Sequence, residues 1–484
     1  MIFKDLLFPI LEINSQTEIT GITLDSRQIK NGDLFIALNG AQQHGLEHAA
    51  QAIKQGAVAI IYDPDGITKQ PTLDIECIAV PQLAQFLGSI AAKFYDKPSE
   101  KLAVIGITGT NGKTTCSQLI AQALPDCGVI GTLGWGAPGQ LLPTANTTPD
   151  ALAMQAMLSE FASQNKQAVA MEVSSHGLQQ GRVNAVEFTG AVFTNISRDH
   201  LDYHGSMDEY LKAKLMLFRV PGLKFAVLNL DDPKSKDVLQ ALDSTVDCWT
   251  FSTQGNSLKD AQSLIAENIR HSNEGIDFDI LFGENTFKAY TPIVGDFNLE
   301  NVLAVLAVLL AMNTPIELAI AKLRQLKAIA GRMEKFGGDD KPTVLVDYAH
   351  TPDALEKVLK AVKTKQSLCV VFGCGGNRDQ GKRPEMGRIA ESCADRVIIT
   401  DDNPRNESAD EIIEQILAGC QTDKMTVIND RATAITTAIR QAKKDDCIVI
   451  AGKGHEAYQE INGVKWPFSD QAIVEQALAT WGQQ

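Results

Sequence analysis

The seven residues Gly109-Thr110-Asn111-Gly112-Lys113-Thr114-Thr115 follow the apolar run Leu102 to Ile107 and open a segment with helical periodicity. A strand, a glycine-rich turn and a helix in that order predict a phosphate-binding loop. Glycines let backbone N–H groups face an anion, and the helix N-terminus adds partial positive charge. Lys113 adds a full charge, and Thr114 has a hydroxyl to offer Mg2+. The ligand this predicts is a nucleoside triphosphate. The spacing departs from the standard Walker pattern, because Ile107 stands five residues before Gly112, with Gly106 and Gly109 on either side of it. Cys116, Leu119, Ile120 and Ala123 recur at helical spacing and form one apolar stripe after the loop.

A chain of 484 residues is too long for one hydrophobic core, so about three domains are expected. The net charge of −15 argues against a sequence-independent nucleic-acid binder or an anionic-membrane binder and favours solubility. Nine cysteines, without a CxxC pair or a zinc-like Cys/His spacing, point to reduced thiols in the cytoplasm. Leu6 to Leu11 is short, broken by Pro9 and preceded by one basic residue, which does not match a signal peptide. No stretch is long enough to span a bilayer, so stable membrane insertion is not expected.

Three blocks emerge. Residues 1 to about 100 alternate strands, such as Asp33 to Leu38 and Val58 to Tyr62, with helical stretches such as Leu46 to Gln55, and end in the polar linker Asp96 to Lys101. From about 101 to 330, the strand-like runs Ala103 to Ile107, Ala168 to Val173, Ala191 to Asn195 and Phe225 to Asn229 predict a mainly parallel sheet with ligands at the carboxyl ends of its strands. From 331 to 484 the alternation repeats through Thr343 to Val346, Leu368 to Phe372, Val397 to Thr400 and Cys447 to Ala451, a second nucleotide-type α/β domain.

Two central strands end in residues capable of chemistry, Glu172 in Met171-Glu172-Val173-Ser174-Ser175-His176 and His200 in Ser197-Arg198-Asp199-His200. A parallel sheet places both at the same edge as Lys113 and Thr114, where a carboxylate, an imidazole and a hydroxyl make a Mg2+ site. Ser206 and Glu209 have capping-box spacing, and the helix they start has an apolar face of Tyr210, Leu211, Leu215 and Phe218. Lys214 lies on that face. A buried ammonium costs several kcal/mol unless paired or neutralised, leaving two readings: snorkelling to solvent, or conversion to a carbamate able to ligate a metal.

Together these motifs resemble the Mur ligases, the ATP-dependent amino-acid ligases of peptidoglycan synthesis, and the resemblance spans all three blocks. It implies a UDP-binding α/β domain (1–100), a P-loop ATPase-like parallel-sheet domain (101–330) and a Rossmann-like amino-acid-binding domain (331–484). The family's phosphate loop has the GTNGKT form, which accounts for the unusual spacing and implies ATP contacts from Gly109, Thr110, Asn111, Gly112, Lys113, Thr114 and Thr115. The lysine of Ala213-Lys214-Leu215-Met216-Leu217-Phe218 is implied to be carbamylated, with Mg2+ held by Thr114, Glu172, His200 and Lys214. Lys113, Lys214, Glu172 and His200 are the implied catalytic group. Asn298 and Asn301 resemble adenine-side asparagines, although Asn298 also suits a helix cap. Arg332 is implied to reach the phosphates, and Asp347 looks like the ribose- or phosphate-side acid.

The first block's Leu24, Ser26, Gln43, His44 and Gly45 resemble the UDP-binding positions of the third amino-acid-adding branch. Asn146, Thr147, Thr148, Ser174, Gln180 and Arg182 match its muramoyl-dipeptide contacts. Gly181 stands where relatives often carry histidine, a substitution that frees the local backbone. Asp402-Asn403-Pro404-Arg405 is the motif of the meso-diaminopimelate branch: Arg405 suits the distal carboxylate that lysine lacks, and Glu456, beside Gly452 in Gly452-Lys453-Gly454-His455-Glu456, suits the distal ammonium. Arg378 matches another substrate arginine. The implied substrates are ATP, UDP-N-acetylmuramoyl-L-Ala-D-Glu and meso-diaminopimelate, the implied working unit is a monomer, and His200 and His350 are candidate bases. An L-lysine-adding ligase, a folylpolyglutamate synthetase-like enzyme and a degenerate ATP-binding regulatory protein are the alternatives.

Overall fold

The computed structural model describes residues 1–40, 43–69, 71–272, 274–363, 367–422 and 424–482. Contact density divides it into two compact units: Met1–Gly106, Leu124–Ala191 and Met216–Lys224 form the first, and Ile107–Ala123, Val192–Leu215 and Phe225–Gln484 the second. The strands Ala103–Thr108 and Gly190–Phe193 begin in the first unit and end in the second.

In the first unit, Gly21–Thr23, Asp33–Ala37, Ala59–Tyr62 and Glu76–Ala79 pair in parallel in chain order. Side chains alternate between two cores. Leu34, Ile36 and Ile61 pack with Phe3, Leu6 and Leu7 on one face, and Phe35, Ala37 and Ile60 with Ala49 and Ala52 on the other. Cover on both faces explains why Asp33–Ala37 is an unbroken buried run. The expected helix from Leu46 is a 3-10 turn, Gly45–His48, followed by Ala49–Gln55, and the linker before 101 contains a 3-10 turn with Pro98 and Ser99 buried. Elsewhere in this unit Cys127–Gly131 pairs in parallel with Ala168–Glu172 and antiparallel with Gly134–Ala137.

In the second unit, Phe225–Asn229, Asp247–Ser252 and Gln262–His271 pair in parallel. An antiparallel meander through Ile276–Phe282 and Asn285–Thr291 then extends the sheet. Buried Ile276, Phe278 and Ile280 alternate there with Asp277 and Asp279, the pattern of a strand covered on one face. The helix Asp296–Ala311 is apolar all round from Val302 onward, with Val302 to Leu309 at 0% exposure, and packs on Lys113–Ala123. The latter helix is buried beyond its apolar stripe, at Thr114, Ser117 and Gln118 as well.

The last sheet runs Glu334–Gly337, Thr343–Asp347, Cys447–Ala451, Leu368–Phe372, Arg396–Ile399, Met425–Val427 and is parallel except at its first strand. Leu368, Val370 and Phe372 enter one core and Cys369 and Val371 the other, so helices cover both faces. Strand order reverses around Cys447–Ala451, where doubly wound sheets open a ligand crevice beyond the strand ends. Asp347 ends one strand there, and Gly452 follows another.

All nine cysteines are free thiols. Among the described residues no helix is long and apolar enough to cross a membrane.

Candidate active site

The expected phosphate loop lies in the second unit. Gly112, at φ +87°, could not carry a Cβ without approaching Asn301 Oδ1 to 2.5 Å, so backbone sterics and the asparagine's position require glycine together. Thr194 Oγ1 donates to the Asn111 carbonyl at 2.6 Å, and the Asn111 amide N–H donates to Asn195 Oδ1 at 3.0 Å. The strand-end residues thus brace the loop from outside. Lys113 Nζ donates to the Gly109 and Thr110 carbonyls, both at 2.8 Å, and Thr115 is buried in the helix that follows. Arg332 Nη2 donates to Thr114 Oγ1 at 3.0 Å, bringing together two residues that the sequence places in different blocks.

Lys214 is 1% exposed, which excludes snorkelling. Its Nζ donates to the Gly109 carbonyl at 2.8 Å and lies 4.3 Å from the Tyr210 ring centroid, with Tyr210 in turn hydrogen-bonded to Thr110 Oγ1 at 3.1 Å. Burial and the nearby Lys113 charge hold the Lys214 ammonium well below its ordinary pKa, against the opposing pull of Asp199. A neutral amine is the form that reacts with CO2.

His200 has a left-handed backbone, φ +54°, of the kind that sites use to aim side chains. Its neighbour Asp199 is a hub that sequence reasoning passed over. The buried Asp199 carboxylate lies 3.4 Å from His200 Nε2, 3.7 Å from His350 Nε2 and 3.7 Å from Lys382 Nζ. Burial raises its pKa, but the hydrogen bond from His350 and the charges of Lys382 and His200 outweigh burial and hold it well below the usual range. Only its position beside His200 could have signalled this.

Asn298 and Asn301 are buried and linked, Asn301 Nδ2 donating to Asn298 Oδ1 at 3.1 Å. Asn298 Nδ2 donates to the Val294 carbonyl at 2.8 Å, so its side chain does not cap the helix. Asp347 accepts from the backbone N–H groups of Met333 and Ala349, both at 2.8 Å; burial raises its pKa, with Arg332 the main opposing influence. Arg332 also lies 4.4 Å from the Tyr348 ring, and its Nε has no hydrogen-bond partner among the described residues.

Asn403 organises the wall expected to meet the amino acid. Its Nδ2 donates to Glu456 Oε2 at 2.8 Å, and its Oδ1 accepts from the fully buried Lys453 Nζ at 2.9 Å and from the Glu460 N–H at 3.0 Å. Lys453 also pairs with Glu456 at 3.0 Å. Glu456 therefore has an internal cation, and Lys453 is a supporting residue whose place inside the Gly452-to-Glu456 run was its only signal. Gly452 lies so close to Asp402 that an added Cβ would come within 2.6 Å of Asp402 Oδ2, and Pro404 is buried. Arg405 pairs with Glu460 at 3.3 Å and donates to the Gly376 carbonyl at 2.8 Å. Arg378 is exposed beside a cavity of about 520 Å3 also lined by Leu201, Asp202, Asn377, Gln380 and Glu407. Beneath the wall, Arg431 and Asp470 form a wholly buried bidentate pair at 2.7 and 2.8 Å, and Arg431 Nη2 holds the Ala451 carbonyl at 3.0 Å.

Glu172 lies in the first unit, 1% exposed, with both carboxylate oxygens accepting from Thr132, from its N–H at 2.8 Å and its hydroxyl at 3.0 Å. Thr132 also bonds Thr147 at 3.0 Å, another partner the sequence did not announce. Thr148 Oγ1 reaches the Glu172 carbonyl at 3.0 Å and Ser174 Oγ at 3.1 Å. Arg182 donates to the Thr148 carbonyl at 2.8 Å and, through Nε and Nη2, to Gln180 Oε1 at 3.0 and 2.6 Å. These dipeptide-side residues form one network, while Asn146 is exposed. Gly181, at φ +66°, follows the end of the preceding helix, a position that favours glycine. Of the expected uridine-side residues, Ser26 donates to Gln51 at 3.0 Å, Gln43 contacts His48 at 2.7 Å, and His44 Nδ1 accepts from Leu46 N–H at 3.0 Å. Leu24 is half-buried, and a Cβ added at Gly45 would come within 3.0 Å of the Ala37 and Leu38 backbone.

In the second unit Thr114 Oγ1 is a hard oxygen donor of the kind Mg2+ takes, and a carbamate on Lys214 would add another, so the donor chemistry there fits that ion. Among the described residues no group of three or more His, Cys, Asp or Glu side chains is placed to hold a metal ion.

Three family models match the chain: the Mur ligase family catalytic domain over 18–95, the Mur ligase middle domain over 107–309 and the Mur ligase glutamate ligase domain over 331–454. A Pseudomonas aeruginosa protein named UDP-N-acetylmuramoyl-L-alanyl-D-glutamate--2,6-diaminopimelate ligase is 47% identical over 470 residues, 96% of each chain. The chain belongs to the Mur ligase family. A solved structure of a protein with the same name is 36% identical, covers 99% of both chains and superposes with a TM-score of 0.69. A folylpolyglutamate synthase from Mycobacterium tuberculosis, solved with ADP and AMPPCP, shares the fold over 76% of this chain and 92% of its own, at 18% identity and a TM-score of 0.62. The Mur ligase and α/β readings of the sequence hold, and three Mur ligase domains are present.

Proposed function

We propose that this protein is an ATP-dependent ligase of peptidoglycan precursor synthesis. It joins the amino group of meso-diaminopimelate to the D-Glu γ-carboxylate of UDP-N-acetylmuramoyl-L-Ala-D-Glu. Similarity to the Pseudomonas aeruginosa ligase over 96% of both chains carries this reading. The wall around Asn403 supports the choice of amino acid, because it presents a guanidinium at Arg405 and a carboxylate at Glu456, complementary to a distal carboxylate and ammonium. Within this reading the chain divides near 100 and 330 into UDP-binding, ATP-binding and amino-acid-binding parts. It acts in the cytoplasm as a monomer.

A carboxylate is a poor electrophile because it is anionic and has no good leaving group. Attack of the γ-carboxylate oxygen on the ATP γ-phosphorus forms an acyl phosphate and releases ADP. The neutral amine then attacks the acyl carbon, and the C–O bond to phosphate breaks. Two anions meet in the first step, so cations must be ready. Lys113 stands over the loop on the Gly109 and Thr110 carbonyls, and Arg332 stands on Thr114. Both bring fixed charge to the site of phosphoryl transfer. Thr114, Glu172, His200 and a carbamylated Lys214 would hold Mg2+, which would screen the same repulsion when bound. Arg182 and Ser174 orient the dipeptide, and Asp347 meets the nucleotide.

The test is ADP release from ATP and Mg2+ with UDP-N-acetylmuramoyl-L-Ala-D-Glu, with meso-diaminopimelate, L-lysine or no amino acid. Turnover with meso-diaminopimelate alone is expected. Equal turnover with lysine, or none with either, overturns the proposal.

A further inference from the structure

Arg405, the cation assigned to the distal carboxylate, is already paired. Its Nε lies 3.3 Å from Glu460 Oε2, with the two side chains 19% and 24% exposed. The pair is built into the backbone: Arg405 N–H donates to the Glu460 carbonyl at 2.9 Å, and Asn462 N–H donates to the Arg405 carbonyl at 2.7 Å. Arg405 takes a left-handed backbone, φ +52°, to make these bonds. Glu460 is fixed from the other side by Asn403 Oδ1, which accepts its N–H at 3.0 Å. Its cross-strand neighbour in the hairpin Tyr458–Ile461 and Val464–Pro467 is Lys465, whose ammonium lies 4.4 Å from the Tyr458 ring.

We infer that Glu460 is an internal competitor for the substrate's distal carboxylate and so tunes amino-acid discrimination; this rests on the assignment of Arg405 to diaminopimelate. A guanidinium left unpaired by lysine imposes a desolvation cost, and that cost is what rejects lysine. Glu460 supplies a carboxylate of the same class, so the cost falls on neither amino acid in full. Diaminopimelate must displace or share Glu460, which weakens its binding. Lysine binds beside an arginine that is already satisfied. The pair therefore narrows the difference between the two amino acids while keeping Arg405 in place.

The experiment measures kcat and KM for meso-diaminopimelate and L-lysine in the full-length protein and in Glu460→Gln. An ion pair that solvent still reaches has a modest strength, so the kcat/KM ratio of diaminopimelate to lysine should rise about two- to fivefold. The gain should come through a lower KM for diaminopimelate, with KM for ATP unchanged. In an Arg405→Ala background the same substitution should do nothing, which a purely structural role for Glu460 would not give. Glu460→Asp, which keeps the charge on a shorter arm, should give an intermediate shift and serves if the glutamine variant fails to fold. A raised KM for diaminopimelate, or an unchanged ratio, overturns the inference. Absence of diaminopimelate-dependent ADP release in the unsubstituted protein instead overturns the proposed function.

Discussion

His455 offers a test of how burial and charge act together in the last part of the chain. Its ring lies 5.2 Å from the Tyr348 ring, its Nδ1 has no hydrogen-bond partner among the described residues, and Arg332 and Lys453 are the nearby cations. Burial, then those two charges, push its pKa down from 6.5 to about 3. The unfolded chain takes up this proton near pH 6.5, but the folded chain takes it up only near pH 3. Because the folded form resists protonation, its stability is intact above 6.5 and is lost as pH falls from there toward 3. At ~1.4 kcal/mol per pH unit, the loss attributable to this one group between pH 8 and pH 5 is about 2 kcal/mol. For a domain of ordinary size that is about 4–8 °C in Tm. Thermal melts of the unsubstituted protein and of His455→Gln at pH 8, 6.5 and 5 isolate the term, since all other groups titrate in both. The unsubstituted protein should lose the extra stability and the glutamine variant should not. Parallel pH profiles would refute the reasoning and show that His455 either accepts its proton in the folded state or is solvated.

Lys214→Ala should lower turnover at least about 100-fold, as loss of a preorganised charged group does, and short-chain carboxylic acids that fill the gap should restore part of it. Full activity without rescue refutes the carbamate. Arg405→Ala should raise KM for meso-diaminopimelate about 10- to 100-fold, the range of a lost charge-assisted hydrogen bond, with little change for ATP; equal effects on both would show the arginine elsewhere in the cycle. Asp470→Asn leaves the fully buried Arg431 without its counter-charge and should destabilise the protein by about 3–5 kcal/mol in urea denaturation. A cost below about 1 kcal/mol would mean that Arg431 finds solvent or another partner.

Much of the site could be read in the sequence because its chemistry is written in short contiguous runs. Gly109 to Thr115 form one contiguous run whose glycines and lysine are legible without any partner, although Thr194, Asn195 and Asn301 brace the folded loop. Lys214 announced itself by contradiction, an ammonium on an apolar helix face, and the structure keeps it there at 1% exposure. What escaped were partners distant in the chain. Asp199 gains its meaning from His350 and Lys382, Glu172 from Thr132, and Arg405 from Glu460. None of these pairs has a fixed spacing, and a carboxylate in a polar run looks the same whether it faces water or a buried cation.

The amino-acid order by itself determined the alternation of strand and helix, the family and the chemical inventory of the candidate site residues, since periodicity and short motifs are local properties of the chain. The antiparallel meander of residues 262–291, the contact of Arg332 with Thr114 and the engagement of Arg405 by Glu460 were decided only by folding. Each depends on segments distant in sequence meeting at ångström range, and the energy of such a meeting is set by burial and distance, which a linear order does not specify.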